Sequence, residues 1–298
     1  MTNNRQKDLG QFFTPEPVVE FIYEMVRPML PPQPKIIDPA CGEGIFLRFA
    51  RDHGITAEHN LYGCDLDEHI VEKWVNLGIF PRRMHLYQHD GLYEDNSTPG
   101  VALDTFDLAI GNPPFGGQGV TDPRALENLH LWRDHVRRTG RVLRERQLTY
   151  LAGSEAEENL PQQFRRSKTP IEVLFLERFL QLVKPGTGQV AIILPDGIFA
   201  NSKLRFVRNF LLRSSRIEVI VGLPRDTFRG MGTTAKTNVL FVRKLRYGEA
   251  MLDGLEVFVA STDLASTSSG VYSDFSTIFL AFKDFVASQP DMLPEGGV

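Results

Sequence analysis

The chain has 298 residues, 33 lysines and arginines against 37 aspartates and glutamates, a formal net charge of -4 and 42% hydrophobic residues. That length buries a core without disulfide staples, and two cysteines, Cys41 and Cys64, are too few for a disulfide framework or a zinc cluster. The opening Met1-Thr-Asn-Asn-Arg-Gln-Lys-Asp is too polar for a signal peptide, and no run approaches the roughly 18 apolar residues of a membrane span, so the sequence reads as soluble and cytoplasmic.

In chain order, a helical pattern over 16–26 precedes a β-type run at Lys35-Ile-Ile-Asp. Helical patterns over 44–52 and 67–77 then alternate with runs at 60–65, 84–88 and 106–110. After an interval without a strong strand, 118–169, come a helix over 171–183, a strand over 189–194 and a helix over 202–213. The last runs, 217–222 and 238–242, are joined by a loop, which predicts a hairpin ending and an antiparallel final strand. Strand alternating with helix predicts an α/β fold: a doubly wound, seven-stranded, mostly parallel sheet with helices on both faces. One globular unit is expected over 1–246, with 1–30 as an N-terminal helical segment and 118–169 as a helical insertion after the fourth strand. Residues 247–298 are expected to form an acidic C-terminal extension.

The near-neutral total hides a strong asymmetry. Residues 1–117 carry 9 basic and 17 acidic side chains, residues 118–246 carry 23 and 12, and residues 247–298 carry 1 and 8. The densest basic stretch is Arg133, Arg137, Arg138, Arg141, Arg144 and Arg146. On a helix, several of these share one face. A solvated helix explains that spacing; so does contact with phosphates, whose affinity for a cationic face is electrostatic and salt-dependent.

The first strand ends in Asp38-Pro39-Ala40-Cys41-Gly42-Glu43-Gly44, a Gly-x-Gly turn that opens a helix. In a doubly wound sheet, ligands sit at the carboxyl ends of the strands, where glycines let backbone approach closely. Asp65, followed by Leu66, closes the second strand at the place where an acid accepts from ribose hydroxyls. Leu47 stands where a dinucleotide fingerprint has its third glycine, so a nucleoside without a pyrophosphate fits better. Asp90, followed by Gly91, ends the third strand and is placed to accept from an adenine amino group. Asp38, Asp65 and Asp90 thus converge on one crevice.

The fourth strand ends in Asn112-Pro113-Pro114-Phe115. Each proline fixes its φ and lacks an N–H donor, which stiffens the segment. The Asn112 side-chain carbonyl and the Pro113 backbone carbonyl are then two acceptors close together. That pair suits gripping both hydrogens of a planar exocyclic amine, localising its lone pair for attack on an electrophilic methyl group. Phe115 suits stacking on the ring that bears the amine.

These residues resemble those of the N6-adenine-specific, S-adenosylmethionine-dependent DNA methyltransferases, in particular the modification subunits of type I restriction-modification systems and their type II relatives. The resemblance runs from Gly10 to about Arg243. It implies a class I, Rossmann-like methyltransferase fold that flips the target adenine out of double-stranded DNA. Gly10-Gln-Phe-Phe13-Thr14-Pro15 is similar to the family's N-terminal cofactor motif. The Asp38 to Gly44 loop, Asp65 and Asp90 are similar to its cofactor loop, ribose acid and adenine acid, and Asn112 to Phe115 to its catalytic motif. The resemblance also implies a second aromatic on the other face of the flipped base: Phe228 matches by position, with Phe241 as the alternative. Arg137, Arg141 and Arg144 are the candidate DNA contacts. The roughly fifty residues after the last expected strand, acidic on balance, are too few and of the wrong charge to make a target-recognition domain that reads a major groove, so the expectation is a specificity subunit or separate recognition protein as partner, or that the chain is part of a longer one. A protein-glutamine or RNA adenine methyltransferase obeys the same chemical logic, and a non-catalytic, cofactor-sensing DNA-binding subunit is the alternative from another class. A C5-cytosine enzyme needs a Pro-Cys nucleophile, and here Ala40 and Gly63 precede the two cysteines.

Overall fold

The computed structural model describes residues 13–76, 84–92, 97–115, 170–228, 235–249, 255–262 and 274–293. The arginine-rich insertion, with Arg137, Arg141 and Arg144, lies outside the described residues. Every residue of β1 (Ile36–Asp38), β2 (Leu61–Asp65) and β4 (Leu108–Gly111) is buried. Strands apolar on both sides require a cover on each face of the sheet. The described strands form one eight-stranded sheet in the order β3-β2-β1-β4-β5-β7-β6-β8, adding β3 (His85–Gln88), β5 (Gln189–Pro195), β6 (Ser215–Gly222), β7 (Thr237–Lys244) and β8 (Phe258–Ser261). β1 to β5 run parallel, and β7 is antiparallel to both β5 and β6, as the loop-joined ending predicts. The chain leaves β1 for β2 on one side and returns to β4 on the other, so a topological switch point opens at the carboxyl ends of β1 and β4.

Alternate residues along each strand enter opposite cores. Ile36, Ile110 and Ile193 join a core with α1 (Glu16–Val26), α2 (Ile45–Asp52) and α3 (Glu68–Asn76). Ile37, Ala109 and Ile192 join a second core with α4 (Ile171–Leu182) and α6 (Arg205–Ser214); between these two helices lies the single turn α5 (Gly197–Ala200). The expected helix over 202–213 opens with a turn of 3-10 helix at Ser202–Leu204, where the Asn201 side chain accepts from the Lys203 backbone N–H at 2.9 Å.

The acidic C-terminal residues depart from their description as an extension. β8 pairs in parallel with β6, and α7 (Phe275–Ser288) packs on α1, where Phe275 stacks on Phe21 with ring centroids 4.2 Å apart. Phe282 is fully buried, and Arg216 of β6 pairs with Asp291 beyond α7. The boundary at residue 246 therefore cuts through the sheet and one of its cores. Phe282→Ala is expected to lower the unfolding free energy by about 3–5 kcal/mol in denaturant titration, the usual cost of emptying a buried phenylalanine site. A cost near zero would return α7 to the status of an appendage.

β6 carries an irregularity between Ile217 and Val219 that leaves Glu218 as the extra residue, fully buried, with its Oε1 3.9 Å from Arg243 Nε. Burial pushes the Glu218 carboxyl up to about 7, against the pull of Arg243 and Arg216. A raised carboxyl contributes stability that is fully present below its unfolded pKa and lost as pH rises through the folded value. Between pH 5 and 8 the wild type should therefore lose thermal stability relative to Glu218→Gln. Parallel melting curves across that range would refute the assignment.

Candidate active site

A cavity of about 470 Å³ opens at the switch point. Its floor is the loop after β1. Gly42 and Gly44 hold φ of +53° and +73°, the left-handed region that side-chain-bearing residues seldom adopt. The loop is tied to the end of β2: Cys41 N donates to Cys64 O at 2.9 Å and Gly42 N to Asp65 Oδ2 at 2.8 Å. Trp74 of α3, itself buried, donates its indole N–H to Gly42 O at 2.7 Å.

Asp38, Asp65 and Asp90 all line this cavity, as the sequence predicts. Asp38 is 1% exposed and accepts from Ala40 N at 3.1 Å; burial pushes its carboxyl well above the ordinary range, and the charge of Asp65 adds to that. Asp65 Oδ1 also takes the Asp67 N–H, at 2.9 Å. Each carboxylate oxygen has two lone pairs, so Asp65 binds its own backbone and keeps acceptor capacity for a ligand. Burial raises its pKa as well. Asp90 Oδ1 accepts from Leu92 N at 3.0 Å.

Two glycines are fixed by close approach. A Cβ on Gly91 would lie 1.8 Å from the Pro39 carbonyl oxygen, so the Asp90-Gly91 turn rests on the β1 loop. A Cβ on Gly111 would lie 2.6 Å from Asp38 Oδ1. The carboxylate of Asp38 thus covers the end of β4, and the next residue, Asn112, lines the same cavity together with Pro114. Pro113 is buried beside them.

Phe13, Thr14, Pro39, Ala40, Cys41, Gly42 and Leu66 also line the cavity, and Leu66 is 65% exposed there. Lys73 ties Phe13 to the floor: its ammonium stands 5.5 Å from the Phe13 ring and pairs with Glu43. Pro15 and Gly44 stand outside the lining. Pro15 begins α1, its carbonyl accepting from Val18 N at 2.9 Å, and Gly44 caps α2.

Phe115 is buried, and its ring meets Phe228 edge to face, centroids 6.3 Å apart and planes at 76°. Phe228 is therefore the aromatic that the fold brings to Phe115. Phe241 lies mid-strand in β7, between Ala191 and Val219; it and Phe228 are both fully buried in the same core, so the ring contact with Phe115 is what separates them. Burial pushes the Cys64 thiol up to about 12 and the Cys41 thiol upward too, so both stay protonated and unsuited to nucleophilic attack. Among the described residues there is no group of three potential metal ligands and no helix long and apolar enough to cross a membrane.

Sequence reasoning missed one wall of the cavity. Ile171 and Phe175 of α4 line it. Arg178, on the same face, is 2% exposed and donates through Nε to Gly91 O at 3.0 Å. The signal available was an arginine at the i+3 position within an otherwise apolar helical stripe.

The N-6 DNA Methylase family model matches residues 1–151, and that of the Eco57I restriction-modification methylase matches residues 87–228. The type I restriction enzyme EcoKI methylase subunit of Escherichia coli K12 is 28% identical over 252 residues, covering 81% of this chain and 42% of that protein. The type II methyltransferase M.TthHB8I of Thermus thermophilus is 26% identical over 216 residues, covering 72% of this chain and 41% of that protein. The chain thus spans about two fifths of the length of these curated relatives. Among solved structures, the methyltransferase subunit of a type I restriction-modification system from Streptococcus thermophilus shares the fold with a TM-score of 0.61 at 18% identity, over 95% of this chain and 58% of that one. With residues 1–151 matched by its model, the chain belongs to the N-6 DNA methylase family.

Proposed function

We propose that this chain binds S-adenosylmethionine in the cavity and directs methyl transfer to N6 of an adenine extruded from double-stranded DNA, in the cytoplasm, as the modification component of a restriction-modification system. The observation that carries the reading is that Asn112 and Pro114 line the same cavity as Asp38, Asp65 and Asp90. The residues suit a cationic nucleoside. Buried carboxylates favour a positive charge beside them, and a cavity of about 470 Å³ lies in the range of small-molecule sites. Asp65 would take ribose hydroxyls, Asp90 the adenine amino group, and Phe13, Thr14 and the Asp38 to Gly44 loop the methionine end. When bound, the cofactor supplies an electrophilic methyl group on a sulfonium.

The chain's own residues prepare the nucleophile. The Asn112 side-chain carbonyl and the Pro113 carbonyl accept the two amine hydrogens, drawing the nitrogen out of conjugation, so that positioning and fixed dipoles replace a strong base. Pro114 stiffens this acceptor pair. Phe115 and Phe228 take the two faces of the base. In the edge-to-face arrangement the edge of one ring covers the face of the other, with the planes at 76°, so at least one ring turns before a base is sandwiched between them. Arg137, Arg141 and Arg144 would grip phosphates, and sequence choice would fall to a specificity subunit or another polypeptide segment.

Asn112→Ala is expected to cut methyl transfer about 100-fold or more, the scale of losing one fixed dipole at a reacting centre, with cofactor affinity unchanged. Radiolabel transfer to mixed-sequence DNA, with and without the neighbouring gene product, measures it. Label entering protein or RNA instead, or undiminished transfer by the variant, would overturn the reading. Reversing the charges of Arg137, Arg141 and Arg144 should weaken DNA binding and flatten its dependence on salt, each phosphate contact contributing about one to the slope. Unaltered DNA binding would mark those arginines as a solvated face.

A further inference from the structure

We infer that Arg178 is a positioning residue that sets the Asp90-Gly91 turn against the cofactor; this rests on the cavity being the S-adenosylmethionine site. Arg178 sits among Leu174, Phe175, Phe179 and Leu182, all buried, and is itself 2% exposed. Taking a guanidinium out of water is expensive, so its buried contacts show what holds it there. Its Nε donates to Gly91 O at 3.0 Å across 87 residues of sequence. Gly91 is held on its other side by Pro39, whose carbonyl oxygen leaves no room for a side chain. The turn that presents Asp90 to the cavity is thus gripped between the β1 loop and α4.

Two further observations place Arg178 directly behind the wall of the cavity rather than in the general core. Ile171 and Phe175, at i−7 and i−3 on its helix face, line the same cavity. The Cys64 thiol, raised chiefly by burial, feels the pull of Arg178 and the opposing push of Asp38, Asp65 and Asp90, so this cation and the three acids share one electrostatic neighbourhood. A charged donor on a backbone carbonyl is directional as well as strong, which is what fixing a turn requires. The adenine-facing acid is therefore aimed by a residue 88 positions further along the chain.

The test is a double-mutant cycle read by calorimetric titration of the full chain with S-adenosylmethionine. Arg178→Met should weaken binding about tenfold or more, the scale of losing a hydrogen bond from a charged donor. In an Asp90→Ala background, which removes the acceptor, the same change should cost no more than roughly threefold, because the aim of the turn no longer matters. DNA affinity should hold. Arg178→Met within about twofold of wild type, or a penalty undiminished in Asp90→Ala, overturns the inference, since a merely structural residue adds its cost independently. If Arg178→Met does not fold by circular dichroism, Arg178→Gln, which keeps a shorter amide donor, takes its place in the cycle under the same two criteria. A wild type that binds no S-adenosylmethionine refutes the functional reading instead, so the two failures are distinct.

Discussion

The structure depends on how closely the ends of β1 and β4 approach. Ile36 pairs with Leu108 and Ile37 with Ala109, so Asp38 reaches the end of its strand where β4 has only Gly111 to offer. Its carboxylate fills the space that a side chain at residue 111 would need. Asp38 and the Asn-Pro-Pro segment are consequently delivered to one cavity by the register of the strands that carry them. A slip of one residue between these strands would turn Asp38 to the opposite face and separate the two.

The same closeness sets the electrostatics. Asp38 and Asp65 are both buried, and both carboxyls are raised by desolvation. A buried carboxylate is costly in proportion to the water it has lost, and a cation brought beside it removes part of that cost. The cavity is thus poor for anions and favourable for a ligand that carries positive charge near a polar, hydrogen-bonding nucleoside. The absence of a third glycine after Gly44 agrees with this: the loop is shaped to accept close backbone approach, and the acids around it repel a pyrophosphate.

The first seven strands were legible to within a residue or two, most of them because buried strands read as apolar runs and the half-exposed β3 from its place in the strand–helix alternation, and the antiparallel β7 followed from the lack of a crossover helix. β8 was not legible. It has four residues whose burial alternates between half-buried and exposed, too weak a pattern to separate from loop. α7 was concealed by its acidic, Ser/Thr-rich surroundings, although Phe275, Ile278, Phe282 and Val286 recur at helical spacing and are buried. In the site, the acids and the Gly-x-Gly turn were readable because local backbone chemistry demands them. Gly91 was read with Asp90, but its fit against Pro39 was not, nor were the roles of Arg178 and Gly111, since each is explained by a partner far away in sequence.

If an extruded base enters between them as proposed, the edge-to-face pair of Phe115 and Phe228, which stands outside the cavity lining, is the resting state of that part of the site. An edge-to-face pair contributes about 0.5–1.5 kcal/mol beyond its burial, so the contact keeps two aromatic faces out of water at small cost to later opening. Stacking a base on an aromatic side chain returns about 1–3 kcal/mol per base, as much as the pair gives up or more. Extrusion from a duplex costs a few kcal/mol. Stacking on two faces therefore offsets much of that cost without exceeding it by a wide margin. The balance favours bases that are already easy to extrude, or that a partner has loosened, and it leaves target choice to whatever contacts the surrounding DNA.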